Sequence, residues 1–287
     1  MSDTMRGLIW MLGTIVSFSA MAVSGRELAG ALDTFEIMLY RSMFGLIVVV
    51  AIIAVTNRWS ELRTHRFGAH VLRNITHFTG QNLWFYALAF IPLSQVFALE
   101  FTTPLWVLLL SPLLLGERFT SIRLVSALLG FAGILFVAQP GTTSLSTGVL
   151  AAASCAIFFA LSVILTKRLT TTDSIACIMF YLTLVQLFLG LVTAGYDGNI
   201  TLPTWQALPY VLAIGLCGLS AHFCYTKALS LAPAAVVSPI DFGRLPTIAI
   251  VGWLIYAEPL DPWIFLGAAI IFLGNYLNIW SETRKRA

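Results

Sequence analysis

The chain repeats itself at a spacing of about 141 residues. Gly7, Pro92, Glu100, Phe101, Glu117, Ala127 and Gly133 recur as Gly148, Pro233, Asp241, Phe242, Glu258, Ala268 and Gly274. Solenoid units are far shorter, roughly 20–50 residues. The fold must therefore accommodate two like halves, which the repeat sets at residues 1–141 and 142–287.

Each half is too apolar for a water-soluble domain. Hydrophobic residues make up 59% of the chain and charged residues 10%, with a mean hydropathy of +0.90, whereas soluble domains carry about 25% charge. From Leu124 to Thr166 there is no Asp, Glu, Lys or Arg. A helix crosses the hydrocarbon core with roughly 20 apolar residues. Cutting at charges, Pro and Gly predicts ten such helices, near 6–24, 34–55, 70–91, 94–115, 121–139, 147–167, 174–195, 207–229, 234–257 and 262–280. The third and eighth are the least apolar, carrying Thr76, His77, Gln81, Asn82 and His222. An all-α membrane protein with duplicated halves points to transport through a site between them.

Lys and Arg near helix ends stay on the cytoplasmic side. With the N-terminus inside, Arg6, Arg58, Arg63, Arg66, Arg73, Arg118, Arg123, Lys167, Arg168, Lys227, Arg284, Lys285 and Arg286 fall inside, and only Arg26 lies in an outside loop. Both termini are thus expected in the cytoplasm. Five helices per half is an odd number, so the repeats are expected to be inverted. Arg6, the apolar run after it and Ala20-Met21-Ala22 imitate a cleaved signal peptide. The counterpart of that segment, starting at Gly148, lies deep in the chain, so an uncleaved helix is expected. Cys155, Cys177, Cys217 and Cys224 all fall in predicted helices and read as small packing residues, with no disulfide or metal site expected.

Leu114-Leu115-Gly116-Glu117-Arg118 ahead of a Gly-rich fifth helix, its echo Ile255-Tyr256-Ala257-Glu258-Pro259, and Arg41 at the end of Phe35-Glu36-Ile37-Met38-Leu39-Tyr40-Arg41 resemble the EamA family of drug/metabolite transporters. The resemblance covers essentially the whole chain. It implies a bacterial inner-membrane carrier of amino acids, other small metabolites, vitamins or nucleotide-linked compounds. The general likeness is greatest to amino-acid exporters, including exporters of aromatic amino acids, so export of amino acids by alternating access is the leading expectation. Uptake of a vitamin or S-adenosyl-like metabolite is the alternative within transport, and a non-transporting scaffold the alternative outside it.

Polar residues inside the membrane need a partner or a watery cavity. At about 1.5 Å per residue, Glu100 and Arg41 lie roughly 9 and 10 Å below the outer face, so they are expected to pair, as a gate or as a fixed brace. Asp241, the counterpart of Glu100, has Arg244 one turn on, and reads as a second lock nearer the inner face. His77, Gln81 and Trp84 share one helical face, and Gln81 matches His222 at the repeat spacing. These are the candidate substrate ligands, against the bland reading of interhelical packing. Tyr86 and Tyr181 are added as rings able to stack on substrate, although most rings in such a chain face lipid or pack. Gly130 and Gly133, Gly215 and Gly218, and Gly267 with Gly274 permit close helix contact. Pro104, Pro239 and Pro246 are expected to kink their helices.

Gly218-Leu219-Ser220-Ala221-His222 lacks the second glycine of a nucleophile elbow, and no zinc-protease, dinucleotide or phosphate-loop motif is present. An enzyme, a cofactor and a nucleic-acid partner are therefore not expected. The basic stretch from Arg58 to Arg73, with a net charge of +3 overall, reads as an orientation signal beside lipid headgroups. Proton coupling and facilitated diffusion both fit these residues. A ten-helix bundle encloses its own path, so a monomer is expected.

Overall fold

Asp33 and Ser174, one repeat spacing apart, both begin helices. The Asp33 carboxylate accepts from the Glu36 backbone N–H while Glu36 reaches back to the Asp33 N–H, and the Ser174 hydroxyl accepts from the N–H of Cys177. Each cap satisfies a donor that the first helical turn leaves open. The computed structural model describes residues 3–115, 121–138, 146–231, 241 and 243–284. Glu117, Arg118, the Gln139–Gly141 stretch, Pro233, Pro239, Phe242, Lys285 and Arg286 lie outside these residues.

The described helices are α1 (Asp3–Glu27), α2 (Thr34–Thr56), α3 (Phe67–Phe90), α4 (Leu93–Glu100), α5 (Thr103–Leu115), α6 (Ser121–Ala138), α7 (Thr147–Leu169), α8 (Ile175–Ala194), α9 (Leu208–Leu231), α10 (Arg244–Tyr256) and α11 (Pro262–Arg284). Six apolar spans of at least 18 residues are long enough to cross a membrane, in α1, α2, α4 with α5, α7, α8 and α9. Shorter apolar stretches occupy α6, α10 and α11.

The fourth predicted segment is not one straight helix. It breaks at Phe101–Thr102, ahead of Pro104, and the Phe101 carbonyl accepts from Asn275 Nδ2 at 3.2 Å. A backbone group freed inside an apolar bundle has to find such a partner. Pro246 falls in the first turn of α10, where its missing N–H costs no intrahelical bond.

Packing joins the halves crosswise. The principal pairs are α1 with α9, α3 with α7, α2 with α8, and α6 with α11. Exchanging each helix for its counterpart one repeat spacing away turns the α1–α9 and α3–α7 pairs into one another and the α2–α8 and α6–α11 pairs into themselves. This is a two-fold relation between like halves. The α6–α11 seam is the tightest: a Cβ on Gly133 would meet the Gly267 carbonyl at 2.6 Å, and one on Gly267 would meet the Gly133 carbonyl at 2.6 Å.

In α3 the usual polarity is reversed. His70, Asn74, Thr76, His77, Gln81 and Asn82 are buried, while Phe67, Leu72, Ile75 and Phe90 are exposed. Polar groups turned to the bundle interior and apolar ones to the outside fit a helix surrounded by lipid.

Candidate functional site

Arg41 of α2, Gln186 of α8 and His222 of α9 line a cavity of about 20 Å³, with Ser42, Gly215 and Gly218 beside them. Arg41 Nη1 donates to Gln186 Oε1 at 3.3 Å, and Gln186 Nε2 lies 2.7 Å from His77 Nδ1 on α3. The His77 and His222 rings are 6.5 Å apart, with Phe159 5.8 Å from His77 and Phe18 5.7 Å from His222. The Arg41 guanidinium lies against Gly218 of α9, where a Cβ would stand in ordinary contact 3.4 Å from both Nε and Nη2. Arg41 Nε and Gln81 Oε1 are buried without a hydrogen bond. Such groups cost free energy unless something meets them. The cavity has room for about one water, so a substrate enters only if α2, α8 and α9 separate.

The pairing expected between Arg41 and Glu100 is not made. Glu100 accepts instead from Trp84 Nε1 at 2.8 Å and lies 3.4 Å from Arg244 Nη1, while Arg244 Nη2 donates to Asp241 at 2.8 Å. The two expected locks are thus one cluster, closed across the halves. Glu100 and its counterpart Asp241 meet the same cation. Three rings surround that cation, with the guanidinium carbon 4.8 Å from the Phe18 centroid, 4.9 Å from Phe101 and 5.6 Å from Phe97. Delocalised charge, forked donors and a planar face suit Arg to such a place.

Two of the ring candidates lie elsewhere. Tyr86 is near the far end of α3, its hydroxyl 3.1 Å from Thr147 at the start of α7. Tyr181 is at the basic end of the bundle, donating to the Leu62 carbonyl at 3.3 Å and packed on His70. Both are one or more turns from the central rings, a separation that shared apolar surroundings in sequence do not reveal.

At the end opposite the basic loops, Arg26 reaches across the halves. It pairs with Glu258 and donates to the carbonyls of Leu88 and Ile91. The Glu258 carboxylate also accepts from the Leu93 N–H at 2.9 Å. Ala257, with φ of 51°, turns the chain through the left-handed region so that Glu258 folds back over Gly252. The counterpart of Ala257 in the first half is Gly116, the residue type that conformation favours. Tyr256 closes the group, donating to Glu27 at 2.7 Å with Arg26 over its ring. In the sequence, Arg26 showed only as an exception to the charge bias.

A helical membrane bundle of two like halves, with buried polar groups and rings gathered on the seam between them, is the construction of a membrane transporter. The chain belongs to the EamA-like transporter family, whose pattern matches residues 5–139 and again 146–280. It is 28% identical to a riboflavin transporter of Vibrio cholerae over 98% of this chain and 95% of that one. It is also 28% identical to an S-adenosylmethionine uptake transporter of Rickettsia bellii, over 97% and 94% of the two chains. A crystal structure with 17% identity matches with a TM-score of 0.67 over 98% of this chain and 99% of that one, a likeness of fold. Amino-acid export finds no support in these names, whereas the vitamin or S-adenosyl alternative does.

Proposed function

We propose that this protein is a secondary transporter that takes up a metabolite built on a nitrogen heteroaromatic ring, of the riboflavin or S-adenosyl kind, by alternating access across a bacterial inner membrane. The observation that carries the reading is the character of the central cluster. Gln186, His77 and His222 offer hydrogen-bond donors and acceptors, with Gln81 one turn from His77 on α3, and Phe18 and Phe159 stand beside them as ring faces. Ring nitrogens and carbonyls match amide and imidazole edges, and a flat ring system matches the phenyl faces. A free amino acid would ask for a carboxylate to meet its ammonium group, and both carboxylates nearby, Glu100 and Asp241, are engaged by Arg244.

In this reading ten spans cross the membrane, in two inverted repeats of residues 1–141 and 142–287, with both termini and the basic loops in the cytoplasm. The exception, Arg26, fits because it is held by Glu258 and two carbonyls, and so is bound structure more than an orientation signal. The Arg26–Glu258 group then closes the outer side. His77, Gln81, His222, Arg41 and Gln186 serve the substrate, Trp84 orients Glu100, and Glu100, Asp241 and Arg244 couple the halves as they rock.

Counterflow in liposomes holding the purified protein tests this. Labelled riboflavin or S-adenosylmethionine is expected to accumulate against the same compound unlabelled inside, and Gln186→Ala to lose that exchange while the protein stays folded. Exchange of amino acids alone would return the reading to amino-acid export.

A further inference from the structure

We propose that His70, Asp173 and Cys177 form a site for a divalent cation of the zinc class, which ties the two halves together at the basic end of the bundle. His70 lies in the first turns of α3, Asp173 in the α7–α8 connection, and Cys177 in the first turn of α8. His70 is fully buried, yet neither ring nitrogen has a hydrogen-bond partner. Its Nε2 faces Asp173 Oδ1 at 3.6 Å, and the Cys177 sulfur lies 3.7 Å from the same oxygen. The ligand atoms of the three residues all fall within 4.8 Å of one another.

These separations suit a tetrahedral ion. With Zn–N and Zn–O near 2.0–2.2 Å and Zn–S near 2.3 Å, donor atoms around zinc stand about 3.4–3.6 Å apart. Two of the three pairs need almost no movement, and the His70–Cys177 pair closes by about an ångström at most. Nitrogen, carboxylate and thiolate donors together select zinc or cobalt over magnesium or calcium, which take oxygen. On binding, Cys177 releases its proton to solvent. The thiolate and the Asp173 carboxylate then balance the two charges of the ion, which removes the chief cost of placing charge in a buried site.

The surroundings hold the carboxylate ready. Thr172 Oγ1 donates to Asp173 Oδ2 at 2.7 Å, which leaves Oδ1 to face His70 and Cys177. Arg73, one turn along α3, is occupied by Thr166 and Asn74. The Leu62 carbonyl, which accepts from the Tyr181 hydroxyl, lies 3.7 Å from the Cys177 sulfur. The sequence reading gave Cys177 a packing role because its partners lie 107 and 4 residues away, in another half and another turn.

The test uses the full chain, purified in detergent, stripped with chelator and titrated with Co²⁺ as the probe. One equivalent is expected to bind, with a thiolate-to-cobalt charge-transfer band and the strong ligand-field bands of a tetrahedral ion, both lost on adding Zn²⁺. Cys177→Ser is expected to abolish the charge-transfer band and to weaken zinc binding by more than the roughly 10–100-fold that loss of a supporting partner costs. Cys217→Ser and Cys224→Ser are expected to leave both unchanged. Cobalt bound without a thiolate band, or a Cys177→Ser protein that binds like wild type, would overturn the proposal. The wild-type protein supplies a second readout free of any variant: zinc is expected to raise its thermal midpoint up to one equivalent, and no rise would also overturn it.

Discussion

Arg244 links the halves through Glu100 and three rings, and its replacement separates charge pairing from packing. Arg244→Met keeps a long flexible side chain among Phe18, Phe97 and Phe101 but leaves Glu100 and Asp241 without their cation. Removing one side of a buried ion pair costs about 3–5 kcal/mol, and here Glu100 keeps its bond from Trp84 while Asp241, whose Oδ1 already has no partner, loses the donor to Oδ2. Arg244→Lys keeps the charge but replaces two nitrogens reaching two carboxylates with one, at an expected cost of about 1.5–3 kcal/mol. The decisive protein is the triple variant Glu100→Gln, Asp241→Asn, Arg244→Met. Replacing a whole buried pair by neutral groups is often close to neutral for stability, so the triple variant is expected to melt well above Arg244→Met while remaining inactive. Thermal unfolding in detergent, run beside counterflow in liposomes, gives both readouts. A triple variant no more stable than Arg244→Met, or an Arg244→Met protein that melts like wild type, would refute this account.

Three further outcomes follow from the geometry. Gly133→Ala is expected to cost about 1–3 kcal/mol of thermal stability, because backbone on α11 cannot yield to a methyl group as a side chain would; Gly68→Ala, which meets nothing, is the matched control. Ala257→Val is expected to destabilise, because a β-branched side chain fits the left-handed region worse than the alanine that already bears its cost of roughly 1–2 kcal/mol, whereas Ala257→Gly is expected to melt at or above wild type. Glu258→Gln removes the charge that holds Arg26 and is expected to speed labelling, from the outer side, of a cysteine placed at buried Met21; unchanged labelling would remove that contact from the gating scheme.

The helical class and several helix starts were legible because lipid imposes a simple demand: long apolar runs whose ends carry caps, Pro or charge. Asp33, Ser174 and Pro92 sit at helix starts as their chemistry requires. The buried polar face of α3 was equally legible, since His77, Gln81 and Trp84 recur at helical spacing. Azimuth was not. Counting residues gives a depth along the bundle axis and says nothing about which neighbour a side chain faces, which is why Arg41 was matched to Glu100 instead of Gln186. Gln186 itself escaped because its counterpart one repeat away is Gly45, so a search for echoed polar residues passes over it. Arg26 and Glu258 were visible only as a charge exception and a motif residue, and a separation of 232 residues hides their contact.

The crosswise pairing of the halves has an energetic consequence. The α1–α9 and α3–α7 seams occupy equivalent places, so a rocking motion that loosens one while tightening the other exchanges like for like, as a balance beam does with matched weights. In the proposed cycle the resting tilt of the molecule is then set by small differences between residues at matching positions, such as Gln81 against His222, and hardly at all by its total stability. A substitution far from any substrate can therefore change which side of the membrane the protein faces at rest and leave its melting temperature untouched.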